Sequence, residues 1–232
     1  MTSRPAKSDR RSFLTRLSSM SALALISPVD DWNGGIASGA ARGSAPWDLS
    51  WLDQLTGKHK QVFDLGHADL SDSDAASGNS PLRVPRNYLN AHKEVFGLEF
   101  PAINSIIGIA SRAFPVNVSD AIWLKYGLGE KWKVKDSKTG TWAVRNVFAD
   151  ASLPMGERGV TVQALQKRGA IFWQCNNALN GLVQMLAPAV KMEAPAVREE
   201  LIAGFLPGVK LIPAHTMVLG LAQEKGCSYE AI

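Results

Sequence analysis

The sequence predicts an α/β domain with a mostly parallel sheet. Short apolar runs alternate with longer stretches of helical spacing, and Gly, Pro, Ser and Asn separate the two. One run, INSIIGIA (103–110), is apolar at almost every position, as a strand buried on both faces requires. Strands that alternate with helices in this way are joined by right-handed crossovers.

Taken in order, KQVFDL (60–65) is a short apolar run closed by Gly66 and reads as the first strand. A long polar loop, GHADLSDSDAASGNSP, follows it. VPRNYLNAHKEVFG then carries helical spacing through Val84, Tyr88, Leu89 and Val95. After the strand INSIIGIA, Ser119 and Asp120 form an N-cap signal for AIWLKYG. Residues 131–148 read as an inserted β-hairpin, WKVKD and WAVRNVF joined through SKTG. VTVQALQKRG is a helix stopped at Gly169, and AIFWQC (170–175) is a strand. NNALNGLVQML and APAVREELIAGFL are helices, VKLIPA a strand, HTMVLGLAQEKG a helix and CSYEAI a last short strand.

The first 45 residues have a different character. MTSRPAKSDRRSFLTRLSSMSALALISP has a basic start, the pair Arg10-Arg11 before Ser12-Phe13-Leu14, and an apolar run to Ile26. This layout is that of an export signal, and the paired arginines resemble the twin-arginine type, although Asp9 stands between Ser8 and the pair. The resemblance implies export to the periplasm, with cleavage expected after Ala40 or Ala45, or a membrane anchor if the segment is retained. Residues 46–57 read as a linker with a short amphipathic turn, PWDLSWLDQL, and residues 58–232 as the domain. Trp32, Trp47 and Trp51 are expected on its surface, where a partner could dock. The net charge of +4 owes much to Arg4, Lys7, Arg10, Arg11 and Arg16, so the remainder is near neutral and gives no reason to expect a nucleic-acid partner. Lys131, Lys133, Lys135 and Lys138 form a basic cluster diluted by Glu130 and Asp136. No glycine-rich phosphate loop, zinc spacing or Gly-x-Ser-x-Gly elbow occurs, so neither a nucleotide enzyme nor a cofactor is indicated.

Two C-terminal stretches carry a family likeness. ALQKRGAIFWQCNNAL is a helix, a Gly, a strand ending in Cys and then Asn-x-Ala-Leu; PGVKLIPAHTMVLGLAQEKGCSYEAI is a strand ending in Pro-Ala, a helix ending in Gln-Glu-Lys-Gly and a terminal strand bearing a Tyr. Together they resemble the DsrE/DsrF-like proteins of sulfur relay and intracellular sulfur oxidation, over about 75 residues. The resemblance implies a three-layer α/β/α sandwich with a five-stranded sheet, assembly into homo-oligomers (trimers or hexamers), and sulfur bound as a persulfide on Cys175. The export signal and the inserted hairpin depart from the cytoplasmic relay proteins.

Four polar residues fall after strands, at the carboxyl edge where open α/β sheets bind ligands: His67, Arg112, Cys175 and His215. Asn176 or Asn177 would cap the helix after Cys175, placing the sulfur at a helix N-terminus that favours thiolate. Arg112 would hold an anionic sulfur compound while Cys175 attacks or carries its sulfur. The plainer alternatives are a buried Cys175, histidines that cap helices, and Arg112 paired with Asp69 or Asp120. A metal centre of His67, His215 and Cys175 is a further alternative without a local motif, and no metal is assigned. Cys227 opens the last strand, so in a parallel sheet it lies at the opposite edge from Cys175, roughly 17–20 Å away, too far for a disulfide. Two functions compete on this reading. One is an exported protein that binds or transfers sulfane sulfur on Cys175; the other is a non-catalytic scaffold or assembly subunit of a membrane redox complex.

Overall fold

The structure, a computed structural model, describes residues 47–232. The twin-arginine segment, its tether and Trp32 lie outside the described residues. The five expected strands form one sheet: β1 (His59–Asp64), β2 (Ile103–Ile109), β3 (Ile171–Cys175), β4 (Lys210–Ile212) and β5 (Ser228–Ala231). They are all parallel, in the order β4-β3-β2-β1-β5. Strand β2 is buried at every position, as its unbroken apolar run demands.

The seven helices among the described residues are α1 (Arg83–Phe96), α2 (Asp120–Tyr126), α3 (Leu128–Lys131), α4 (Val162–Gln166), α5 (Asn176–Val190), α6 (Ala194–Ala203) and α7 (His215–Glu224). Alternation along the strands sorts them between the two faces. Phe63, Ile107 and Phe172 point to one face, where Leu89 of α1, Trp123 of α2, Leu182 and Leu186 of α5 and Leu201 of α6 complete the larger core. Val62, Ile106, Trp173 and Ile212 point to the other, against Val218 and Ala222 of α7. The molecule is thus a three-layer α/β/α sandwich.

Strand order explains this division. From β1 to β4 each strand lies beside its predecessor, so three successive right-handed crossovers put their helices on one face. The last connection runs back across the sheet to β5, and the same handedness puts α7 on the opposite face. The reversal falls between β3, which leads into α5, and its neighbour β4, which leads into α7.

Three local expectations are corrected. The inserted hairpin is not a strand pair: only an isolated bridge joins Lys135 to Trp142, because Leu128–Lys131 is helical and Lys133 takes a φ of 56°, which breaks any extended run. Arg145 holds the insertion together, donating to Asp136 at 2.7 and 3.0 Å and to Asp150 at 2.8 Å. The amphipathic turn, a 3-10 turn at Ser50–Gln54, is not a free linker. Trp51, Leu52 and Leu55 are buried against Trp173 and Val62, with the Trp51 and Trp173 rings 6.0 Å apart. Trp51 is therefore a core residue and not a surface one, while Trp142 remains 42% exposed. Finally, neither asparagine caps α5; Cys175 occupies the N-cap itself.

Candidate functional site

Parallel strands leave their last side chains facing the crevice where consecutive crossovers diverge to opposite faces. Cys175 ends β3 at that point, in register with Ile212 at the end of β4. Its sulfur accepts the N–H of Ala178, 3.4 Å away in the first turn of α5, and the N–H of His215, 3.3 Å away at the start of α7. Two helices of opposite layers thus direct main-chain donors at one sulfur, an arrangement suited to an anionic or polarisable atom. Cys175 is 4% exposed.

A second set of groups surrounds the His215 imidazole. Nε2 lies 2.7 Å from Asp64 Oδ1, and the indole Nε1–H of Trp173 donates to Nδ1 at 3.1 Å. An indole can only donate, so Nδ1 is the acceptor and Nε2 carries the proton towards Asp64; the tautomer is assigned by this network. Asp64 also accepts the N–H of Gly66 at 2.6 Å and the Tyr229 hydroxyl at 2.8 Å. Burial pushes the Asp64 carboxyl up, but the bonds from His215, Gly66 and Tyr229 outweigh it and bring the pKa down to about 2. The bond to Asp64 raises the Tyr229 pKa in turn.

The sheet makes room for this arrangement at two glycines. Gly108 sits between Asp64 and Trp173 in register, and a Cβ there would fall 2.5 Å from the Trp173 ring and 3.1 Å from His215 Cε1. A Cβ at Gly66 would fall 2.9 Å from His215 Nε2. The imidazole therefore lies over bare backbone between β1 and β3.

Of the residues expected from the sequence, Cys175 and His215 do meet, but through the main chain of His215; its ring is committed to Asp64 and Trp173. Asn176 turns away, and its side-chain oxygen accepts from Arg198 of α6. His67 is exposed, and only its carbonyl is used, 3.4 Å from Arg112 Nη1. Arg112 makes no ion pair with Asp69 or Asp120 among the described residues. It lines a separate cleft of about 270 Å³ with Asp69, Ser71, Lys131 and Lys133. The four candidates do not converge: Cys175 and His215 sit at the crevice, Arg112 lines a neighbouring cationic cleft, and the His67 side chain is exposed. No group of three potential metal ligands occurs among the described residues. Both cysteines are free, with Cys227 buried just before β5 begins at the amino edge.

Asp64, Trp173 and Tyr229 were not expected in the site. A lone acid closing an apolar strand, KQVFD, was the available signal, since a buried carboxylate must find partners. A glycine inside the otherwise apolar INSIIGIA likewise marks a close approach.

No protein-family model matches the chain, and no curated protein does. Among solved structures, a protein of unknown function from Methanobacterium thermoautotrophicum is similar at 16% identity and a TM-score of 0.34, over 75% of this chain and 99% of that one. Among the described residues no helix is long and apolar enough to cross a membrane.

Proposed function

We propose that this protein is an exported sulfur carrier that holds sulfane sulfur as a persulfide on Cys175. The observation that carries the reading is the sulfur's position at the switch point of the sheet, with main-chain N–H groups of α5 and α7 directed at it. The likeness of 164–179 and 207–232 to DsrE-like proteins supports the same reading, and the twin-arginine-like segment supports export.

The step is a transfer without net oxidation. The Cys175 thiolate attacks the terminal sulfur of a donor persulfide, R–S–SH. A new S–S bond forms on Cys175 as the donor's own S–S bond breaks, and the donor leaves as the thiol R–SH, taking up the proton Cys175 gave up. At 4% exposure, Cys175 favours a small donor or one whose terminal sulfur protrudes. Arg112, Lys131 and Lys133 in the neighbouring cleft suit an anionic donor at the same edge.

Intact mass of the unreduced protein, measured before and after incubation with inorganic polysulfide, tests the reading. The expected result is a reducible gain of one sulfur atom that disappears in Cys175→Ser. A wild-type protein that gains nothing, with a thiol that resists alkylation until unfolding, overturns it and leaves the scaffold role in its place.

A further inference from the structure

We propose that the amino edge of the sheet, remote from Cys175, carries a second binding site, for a small divalent oxyanion of the phosphate class. A cavity of about 280 Å³ opens there, lined by Lys58, His59, Lys60, Tyr88, His92 and Ser228 among others. Neither Lys58 nor Lys60 pairs with a carboxylate among the described residues. Lys60 folds back across Gly226, its ammonium 3.5 Å from where a Cβ on that glycine would stand, which keeps the charge at the cavity wall. The one acid on the adjoining strand, Glu230, is engaged by Gln61.

The side chains from α1 give the site an unmet donor. The Tyr88 hydroxyl is buried and has no hydrogen-bond partner. Leaving such a group unpaired costs about 1–3 kcal/mol, which an acceptor that reached it through a small shift of the cavity wall would recover. His92 Nδ1 donates to the Tyr88 carbonyl at 3.0 Å, so its Nε2 is uncommitted. The His59 and His92 rings stand 5.0 Å apart, and Phe96 stacks on His59 at 5.9 Å, which fixes both. Behind them the Cys227 thiol is held neutral by burial and adds no negative charge. The two unpaired ammonium groups attract an oxyanion, and the His92 Nε2, an acceptor in the neutral ring, can take the hydrogen bond of a hydrogen phosphate's remaining P–OH. The volume admits a phosphoryl group with room for a small substituent.

Titration of the full chain with inorganic phosphate, followed at the Gly226 and Ser228 amides by NMR, tests the site. Saturable one-to-one shifts are expected there, with affinity falling as salt is raised. Lys58→Gln combined with Lys60→Gln should weaken binding about ten-fold or more, since two charge-assisted contacts are lost. Lys131→Gln combined with Lys133→Gln, in the other cleft, should leave it unchanged. Both lysines of the first pair lack ion-pair partners, so that variant should keep the wild-type melting temperature. Cys175→Ser should bind phosphate like wild type, which separates this site from the sulfur proposal. Shifts that never saturate, an equal loss in both double variants, or a response to zinc and not to phosphate would each overturn the assignment.

Discussion

A methyl group on Gly108 would stand 2.5 Å from Trp173 Cζ2, closer than carbon atoms approach without displacement. The fully buried indole cannot yield, because Trp51 and His215 hold its other sides. Gly108→Ala should therefore destabilise the fold by about 1–3 kcal/mol, the usual cost of overpacking a core. Chemical denaturation would show this as a lower midpoint at an unchanged slope; a midpoint within error of wild type would mean that the indole has somewhere else to go. At this scale the sequence was only partly legible. Cys175 and the start of α7 were placed correctly because strand-to-helix junctions are written locally, as a closing apolar run and a new helical period. The partners of His215 were not legible, because Asp64 and Trp173 reach it from strands 151 and 42 residues before it in the chain. His67 was misplaced for a simple geometric reason: the chain turns at Gly66 immediately after β1, and the next side chain swings into solvent.

At the scale of elements, the turn at Ser50–Gln54 changes where the domain begins. It supplies Trp51, Leu52 and Leu55 to a face that otherwise has only α7 to cover it. Trp51→Ala should cost about 3–5 kcal/mol, as loss of a buried aromatic ring does. For a domain of this size that corresponds to a fall in melting temperature of about 10 °C. Trp142→Ala, at an exposed ring, should change stability by no more than about 0.5 kcal/mol and serves as the control. Equal effects at the two tryptophans would remove the turn from the core. Sequence spacing alone read PWDLSWLDQL as a surface feature, since a short amphipathic turn looks the same whether or not a sheet face awaits it. The false hairpin has the complementary cause. Its alternation is real, with Val134 buried between exposed Lys133 and Lys135, but Asp136 is drawn inward by Arg145 for ionic reasons, so the pattern does not stand for a strand pair.

At the scale of the whole molecule, three buried or nearly buried carboxylates among the described residues, Asp64, Asp136 and Asp150, have pKa values below the usual range. In each case burial pushes the value up, and bonded partners bring it down further: His215, Gly66 and Tyr229 for Asp64, Arg145 and the Lys138 N–H for Asp136, Lys138, Ser152 and Arg145 for Asp150. A group depressed in the folded state stabilises it above its unfolded value, and that stability is lost as pH falls through the folded one. For Asp64 the window runs from near the ordinary aspartate value of 3.8 down to about 2 and is worth on the order of 2 kcal/mol. Denaturation midpoints should thus fall steeply between pH 4 and pH 2, by about that amount more in wild type than in Asp64→Asn. A variant curve parallel to wild type in that window would show that the His215–Asp64–Tyr229 network contributes no linkage. The sandwich itself was the most legible feature, because strands such as β2 and β3 are apolar runs set between stretches of helical spacing, and handedness then leaves few ways to order them.

Since the Cys175 sulfur serves as the acceptor for Ala178 and His215, anything attached to it must compete with the ends of two helices for the same atom. A free thiol keeps both first turns closed. On the proposed function, a persulfide there would move the charge outward by one sulfur and weaken that grip, so that the chemical state of a single atom would become a change in the fraying of α5 and α7. Occupancy would then be visible as faster amide exchange at those two positions, on opposite layers of the sandwich. A binding partner could sense through such loosening whether the carrier is full without ever touching its cargo.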